Sequence, residues 1–247
     1  MKVRVLIGLL TALLSMSAAA MAQAPVVLYD PLAKLPETTH SEADEQLLKD
    51  HVVPKAAAHW KENQSCGGGN LNIIGAVDGA FTRAGAKQRA IVYELCQTGN
   101  GFANNGITVI ENGVAVFNFI EEGGWNLEVS KSPDLNKNGR DELIIETGGG
   151  MHQGYTGSSV TLVELSETSA TELGVYLAYT NECERSAPNK YCDRSYKITA
   201  TAGTNPAFFA QKFTNRGTEE KPRWVVSGKA VAAKPIPDTE SKYTLLK

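Results

Sequence analysis

The residues best spaced for chemistry form one run, Asp134-Leu135-Asn136-Lys137-Asn138-Gly139-Arg140-Asp141-Glu142-Leu143. Side-chain oxygens stand at its first, third, fifth and ninth positions. A hard divalent cation such as calcium takes oxygen ligands at this kind of alternating spacing. Gly139 occupies the sixth position, where a chain wrapped around an ion turns sharply. Arg140, at the seventh, would supply its main-chain carbonyl. Asp134, Asn136, Asn138, Arg140 and Glu142 are therefore the candidate ligands, and calcium is the expected cofactor. The twelfth position of an EF-hand carries a bidentate Glu, but here it is Ile145, so the run is not an EF-hand. Only Asp134 and Glu142 bring charge, which points to weak binding, about 10⁻⁴–10⁻³ M. The alternative without a metal is an exposed Asn-Gly turn between two strands.

A second run, Gly148-Gly149-Gly150-Met151-His152-Gln153-Gly154-Tyr155-Thr156-Gly157, follows the apolar stretch Leu143-Ile144-Ile145. It lacks the Gly-Lys-Ser/Thr ending of a phosphate-binding loop, and no helical pattern follows it. It reads as a hairpin loop that carries three ligand-facing candidates, His152, Gln153 and Tyr155. Glu121, Glu122, Asp141, Glu142 and Glu146 supply carboxylates of the kind that glycoside hydrolysis uses in pairs. No Gly-x-Ser-x-Gly elbow exists. Cys66 beside Gly67-Gly68-Gly69, with His59 upstream, has the residue types of a thiol dyad, but a disulfide is the stronger reading. The functional expectation is a binding or interaction module with a structural calcium loop and no catalysis. The competing reading is a periplasmic hydrolase built on the His152/Tyr155 loop and nearby carboxylates.

The setting for this chemistry is an exported protein. Lys2 and Arg4 precede an apolar run from Leu6 to Leu14, and small residues lead to Ala22 and Ala24. That is the pattern of a secretory leader cleaved after either alanine. Its apolar stretch is shorter than the roughly 20 residues of a membrane span. The first cysteine is Cys66, so no lipid anchor is expected. The expected location is the periplasm or the medium of a bacterium. Cys66, Cys96, Cys183 and Cys192 are an even set in an oxidising compartment and are expected to form disulfides. Local pairing, Cys66–Cys96 and Cys183–Cys192, is favoured over the other connectivities. Neither pair has zinc-site spacing.

The 247 residues carry 24 Lys and Arg against 27 Asp and Glu. Loss of the leader removes Lys2 and Arg4 and moves the net charge from −3 to −5. An acidic balance gives no basic face for nucleic acid. The expected partner is a protein or a surface ligand.

The elements that must position these residues are mostly strands. Ser41 with Glu42, Asp44 and Glu45 reads as a capped helix start, running to about Asp50. Pro54 interrupts, and Lys55 to Lys61 reads as a second short helix. Residues 25–36 read as an extended tether or edge segment. From Leu71 onward, short β-branched runs are separated by turn residues, and Asn112-Gly113 between two of them is a hairpin signal. The expected fold is mainly β: one compact antiparallel domain over residues 65–229, with a leader at 1–24, a short helical N-terminal extension at 25–64 and a loosely attached tail at 230–247.

The stretch from Asp134 to Thr147, a polar loop followed by an apolar strand, resembles the calcium loops of FG-GAP repeats. These are the units of integrin-α-type propellers and of many bacterial exported proteins. A second segment, Gly75 to Leu95, is similar to the opening of such a unit without its ligands. The resemblance implies the ligand roles given above, with Glu142 standing where the repeats carry Asp. It extends to a local unit only, since the chain is too short for a complete seven-bladed propeller.

Overall fold

The structure, a computed structural model, describes residues 24–33, 38–60, 71–99, 101–152, 155–181, 193–218, 221–236 and 243–246, with the backbone alone at 149–152 and 155. Most of the leader falls outside these residues, as do Cys66, Cys183, Cys192 and Gln153.

Adjacent β-branched runs joined by tight turns pair as antiparallel ladders, and two sheets result. Asn112 and Gly113 have φ of 52° and 77°. Both central residues of a type I′ turn need positive φ, and glycine adopts it without steric cost. This turn joins β4 (Phe102–Glu111) to β5 (Val114–Gly123). β4 also pairs with β3 (Gln88–Gly99), and β3 with β2 (Asn72–Gly79). The second sheet begins with β6 (Trp125–Ser132), β7 (Glu142–His152), β8 (Tyr155–Leu165) and β9 (Ala170–Thr180). It continues through β10 (Arg194–Thr201), β11 (Ala207–Asn215) and β12 (Trp224–Val226).

The sheets face one another across a core that includes Phe81, Val92, Val109 and Phe119 on one side and Val129, Leu143, Ile145 and Val163 on the other. The opposite face of β7 and β8 is buried too. β10 pairs with β9 at only two positions, Arg194↔Thr180 and Ser195↔Tyr179. Beyond them the sheet turns back on itself and lays Ile198 and Ala200 over Ile144, Val160, Leu162 and Ala178. The stacked rings of Tyr176 and Phe208, 5.0 Å between centroids, join the two halves.

A third core lies under the N-terminal helices. Ser41 caps α1 (Glu42–Leu47): its Oγ accepts from the Asp44 N–H, and Asp44 Oδ2 accepts from the Ser41 N–H. A wide π-helical turn, Leu48–Val52, then leads into α2 (Val53–His59). Pro54 lies in the first turn of α2, where a missing N–H costs nothing. Leu48, Val52 and Ala56 recur every four residues on one face, and that face covers Ile91, Tyr93, Leu95 and Ile120 of the five-stranded sheet. The helix therefore does not stop at Pro54 as its spacing suggests. It changes pitch and continues.

Of the tether and edge readings of residues 25–36 the structure has the edge, and the tail expected to be loosely attached is built into the sheets. Val26–Tyr29 forms β1, paired with β10, and its Leu28 is fully buried. It is a strand and not a tether because an apolar Leu28 completes the second core. The tail is laced to both sheets. Val231–Ala232 forms β13 against β11, and Thr244–Leu245 forms β14 against β5. Ile236 N–H donates to the Val175 carbonyl at 2.6 Å between them. Tyr243 and Leu245 pack on the inter-sheet core, which explains why a proline-bearing segment is held. Among the described residues no closed barrel or propeller is formed.

Leu28→Ala tests the edge-strand role of the first segment. Truncating a buried leucine costs about 2–5 kcal/mol, so the denaturant midpoint of the variant should fall with the slope unchanged. An unaltered midpoint would restore the tether.

Candidate functional site

The Asp134–Glu142 run connects β6 to β7 across the open end of the sandwich. Pleat alternation explains its anchoring. Leu143 and Ile145 point into the inter-sheet core, so Glu142 and Ile144 point to the opposite face. Leu135 plugs that second core and its carbonyl accepts from Gly203 N–H at 2.8 Å. The chain between these anchors must close a short polar loop. Lys137 and Gly139 take positive φ, 64° and 86°, and glycine at the second removes the Cβ strain of that turn.

The expected ligands line this loop. Asp134 Oδ1 accepts from Asn138 N–H at 3.0 Å, and Oδ2 from Gly139 N–H at 2.7 Å. Asn136 Oδ1 accepts from Asn138 N–H at 3.2 Å, and Asn138 Oδ1 from Arg140 N–H at 2.9 Å. The side-chain oxygens thus bend the backbone around themselves. The Arg140 side chain points away from the loop, with Nη1 donating to the Leu165 carbonyl and Nη2 to Glu164 Oε1, both at 2.7 Å.

Glu164, on β8, has no place in the sequence pattern. It lies 22 or more residues from the loop's polar positions, yet register brings β8 alongside β7. Its Oε2 accepts from Asn136 Nδ2 at 2.6 Å and from Asn138 Nδ2. One carboxylate therefore holds both amides and Arg140. Only the β7–β8 pairing reveals it; no local spacing does.

Glu142 is fully buried, and Leu135 N–H donates to its two oxygens at 3.0 and 3.3 Å. Among the described residues it has no ion-pair partner. Its carboxyl is pushed up to about 7. Burial is the largest cause; the Leu135 N–H opposes it, the charges of Asp134 and Glu164 add to it, and the Asn136 N–H opposes it again. Asp141 turns the other way. Its N–H donates to the Ala80 carbonyl and its Oδ2 accepts from Ala80 N–H, both at 2.9 Å, so it pins the loop to the first sheet. Lys131 reaches the same Asp141 oxygen at 3.6 Å. As the side chains stand, no three His, Cys, Asp or Glu among the described residues converge closely enough to hold a metal.

The other candidates are not brought to this loop. β7 continues to His152 and β8 begins at Tyr155, with His152 opposite Tyr155 in the ladder. The described part of the glycine-rich run is thus mostly strand, because ladder hydrogen bonds need no side chains. His152 and Glu142 stand at opposite ends of an 11-residue strand, about 30 Å apart at 3.3 Å per residue. Glu146 lies one face-repeat pair along from Glu142 and accepts from Ser158 Oγ at 2.7 Å. Glu121 and Glu122 are neighbours on β5; Glu121 is buried and Glu122 is exposed. Among the described residues no cysteine is free: Cys96 on β3 is disulfide-bonded.

No protein-family model, curated protein or solved structure matches this chain.

The Glu142 shift has a definite sign in stability. The folded carboxyl keeps its proton up to about pH 7, whereas the ordinary value is 4.5. Between those values the folded state binds more protons, so its stability falls as pH rises. In chelator-treated buffer, wild type should lose stability relative to Glu142→Gln between pH 4.5 and 7. Denaturant unfolding at several pH values measures the difference, and a difference that is flat or opposite in sign contradicts the assignment.

Proposed function

We propose that this chain is an exported β module that works by binding, and that calcium clips the β6–β7 loop. What carries the reading is the charge arrangement: Asp134 and Glu164 both act on a buried Glu142 that has no cationic partner among the described residues. Arg140 offsets Glu164 alone. A divalent cation would relieve the remaining repulsion. Asp134, Asn136, Asn138, the Arg140 carbonyl and Glu142 are the proposed ligands, in keeping with the resemblance to FG-GAP calcium loops. The ion would replace internal hydrogen bonds at the loop oxygens, and the side chains would draw together around it.

The mechanical result is local. The loop joins Leu135 in the second core, Asp141 on Ala80 of the first sheet and Glu164 on β8. Clipping it therefore ties three separately buried elements. The leader pattern supports export to the periplasm or medium, and Cys96 with its disulfide is in keeping with an oxidising compartment. The Cys66–Cys96 pairing is proposed on sequence proximity. No helix among the described residues is long and apolar enough to cross a membrane.

Calorimetry tests the clip. With Kd about 10⁻⁴–10⁻³ M, about 10 mM calcium stabilises the folded state by about 1.4–2.7 kcal/mol. For a chain of this size that raises Tm by about 3–10 °C. Asp134→Ala should abolish the rise, and Glu164→Gln should reduce it. A wild-type Tm indifferent to calcium would overturn the reading.

A further inference from the structure

The outer edge of the nine-stranded sheet gathers positive charge. β12 ends the strand order, and β12 and β13 lie end to end along β11. Residues 207–236, which supply β11 and this edge, carry six Lys and Arg against two Glu. That is a net charge of +4 in a chain expected to carry −5 without its leader. Arg216, Lys221, Arg223, Lys229 and Lys234 are exposed, and Lys212 is half-buried. Among the described residues none of the six has an ion-pair partner. Acids outnumber bases in the rest of the chain, so this edge stands apart from it.

Apolar side chains are set among these cations. Val225 is 43% exposed, Val226 51%, Val231 63% and Ile236 42%. Val225 stands opposite Thr214, and Val231 opposite Ala210. Side chains alternate along a strand, so both valines share a sheet face with Lys212. Arg216 N–H donates to the Arg223 carbonyl at 2.9 Å, which brings both cations to the end of the β11–β12 hairpin. Trp224 takes the other face, where its ring meets Tyr179 edge-on at 6.3 Å between centroids. Charged side chains also guard sheet edges against pairing. Guarding needs no particular sign and gains nothing from exposed valines. A single sign in an acidic chain, interleaved with valines, has the composition of a surface that lies on an anionic bilayer. Ammonium and guanidinium groups meet the headgroups, and the valines reach the acyl boundary.

We propose that this edge docks on the surface of a bilayer containing anionic lipid, as a peripheral contact. A soluble polyanion, such as nucleic acid or an acidic glycan, would use the cations and leave the valines in water. The inference rests on the binding-module reading and names what the module binds. It is independent of the calcium loop.

The full chain without its leader is sedimented in chelator-treated buffer with two kinds of vesicle. One is phosphatidylcholine with about a third phosphatidylglycerol, and the other is phosphatidylcholine alone. Binding to the anionic vesicles is expected, with none to the neutral ones. Raising salt from about 0.05 to about 0.5 M should release the protein by screening. Arg216→Gln, Lys221→Gln and Arg223→Gln combined should lower the partition coefficient about a hundredfold. Val225→Ser with Val231→Ser keeps every charge and should lower it about tenfold. Circular dichroism checks that the variants keep the fold, and the salt dependence of wild type holds the test where a variant unfolds. No sedimentation with anionic vesicles, equal sedimentation with neutral ones, or binding indifferent to salt overturns the proposal. So does an unchanged partition in the valine variant alongside tight heparin binding, which would give the edge to a soluble polyanion. A dimer that the charge variant dissociates, without vesicle binding, would give it to the acidic surface of a second copy. Vesicle binding without a calcium-dependent Tm rise would remove the clip and keep this surface; the reverse result would remove this surface and leave the clip in place.

Discussion

The central constraint is that β7 and β8 are buried on both faces. A strand's side chains alternate between faces, so a strand covered on both sides needs apolar residues at successive positions. Leu143-Ile144-Ile145 and Val160 with Leu162 and Val163 meet that need. Once these strands are central, the rest of the architecture follows. One face is closed by the five-stranded sheet. The other must be closed by the same sheet turning back, because a nine-stranded sheet that ran flat would leave Ile144, Val160 and Leu162 in water. Ile198, Ala200 and Leu28 cover them.

Two-sided burial also accounts for the loop. Glu142 begins β7, and the pleat sends it to the same face as Ile144. A carboxylate is thereby carried into an apolar setting, where its charged form is disfavoured. The loop oxygens and Glu164 sit at the margin of that core, so the field around Glu142 is poorly screened. Glu164 is balanced by Arg140, and burial favours the protonated form of Glu142.

Much of the fold was legible because strand ladders leave local marks. Asn112-Gly113 fixed the β4–β5 register, and the β-branched runs marked the strands from Ile73 to Trp224. The capping pair Ser41 and Asp44 marked the helix start. What the sequence left open or missed depended on contacts distant in the chain. Val26–Tyr29 reads as a tether or an edge, and only its pairing with β10 decides for the edge. The tail looked loose because Pro235 and Pro237 interrupt it, yet short pairings on either side hold it. In the site, Asp134, Asn136, Asn138 and Glu142 lie within one turn of chain and could be read directly. Glu164 arrives through ladder register. Asp141 was read only as one of several carboxylates, and its bonds to Ala80 come from the meeting of the sheets.

The two edges of the smaller sheet are covered differently. β2 lies against β6 where the sheets meet; Val129 of β6 fills the space beside Gly75. The β6–β7 loop is part of that seam, and its anchors reach both sheets. The other edge of the smaller sheet, β5, is covered by β14 for only part of its length. Natural sheets cover, charge or twist such edges to prevent indiscriminate pairing. Here the uncovered stretch is apolar, Val114-Ala115-Val116-Phe117, and the helical segment stands over it as one wall of a groove. The seam and the groove lie at opposite margins of the same four main strands, β2 to β5.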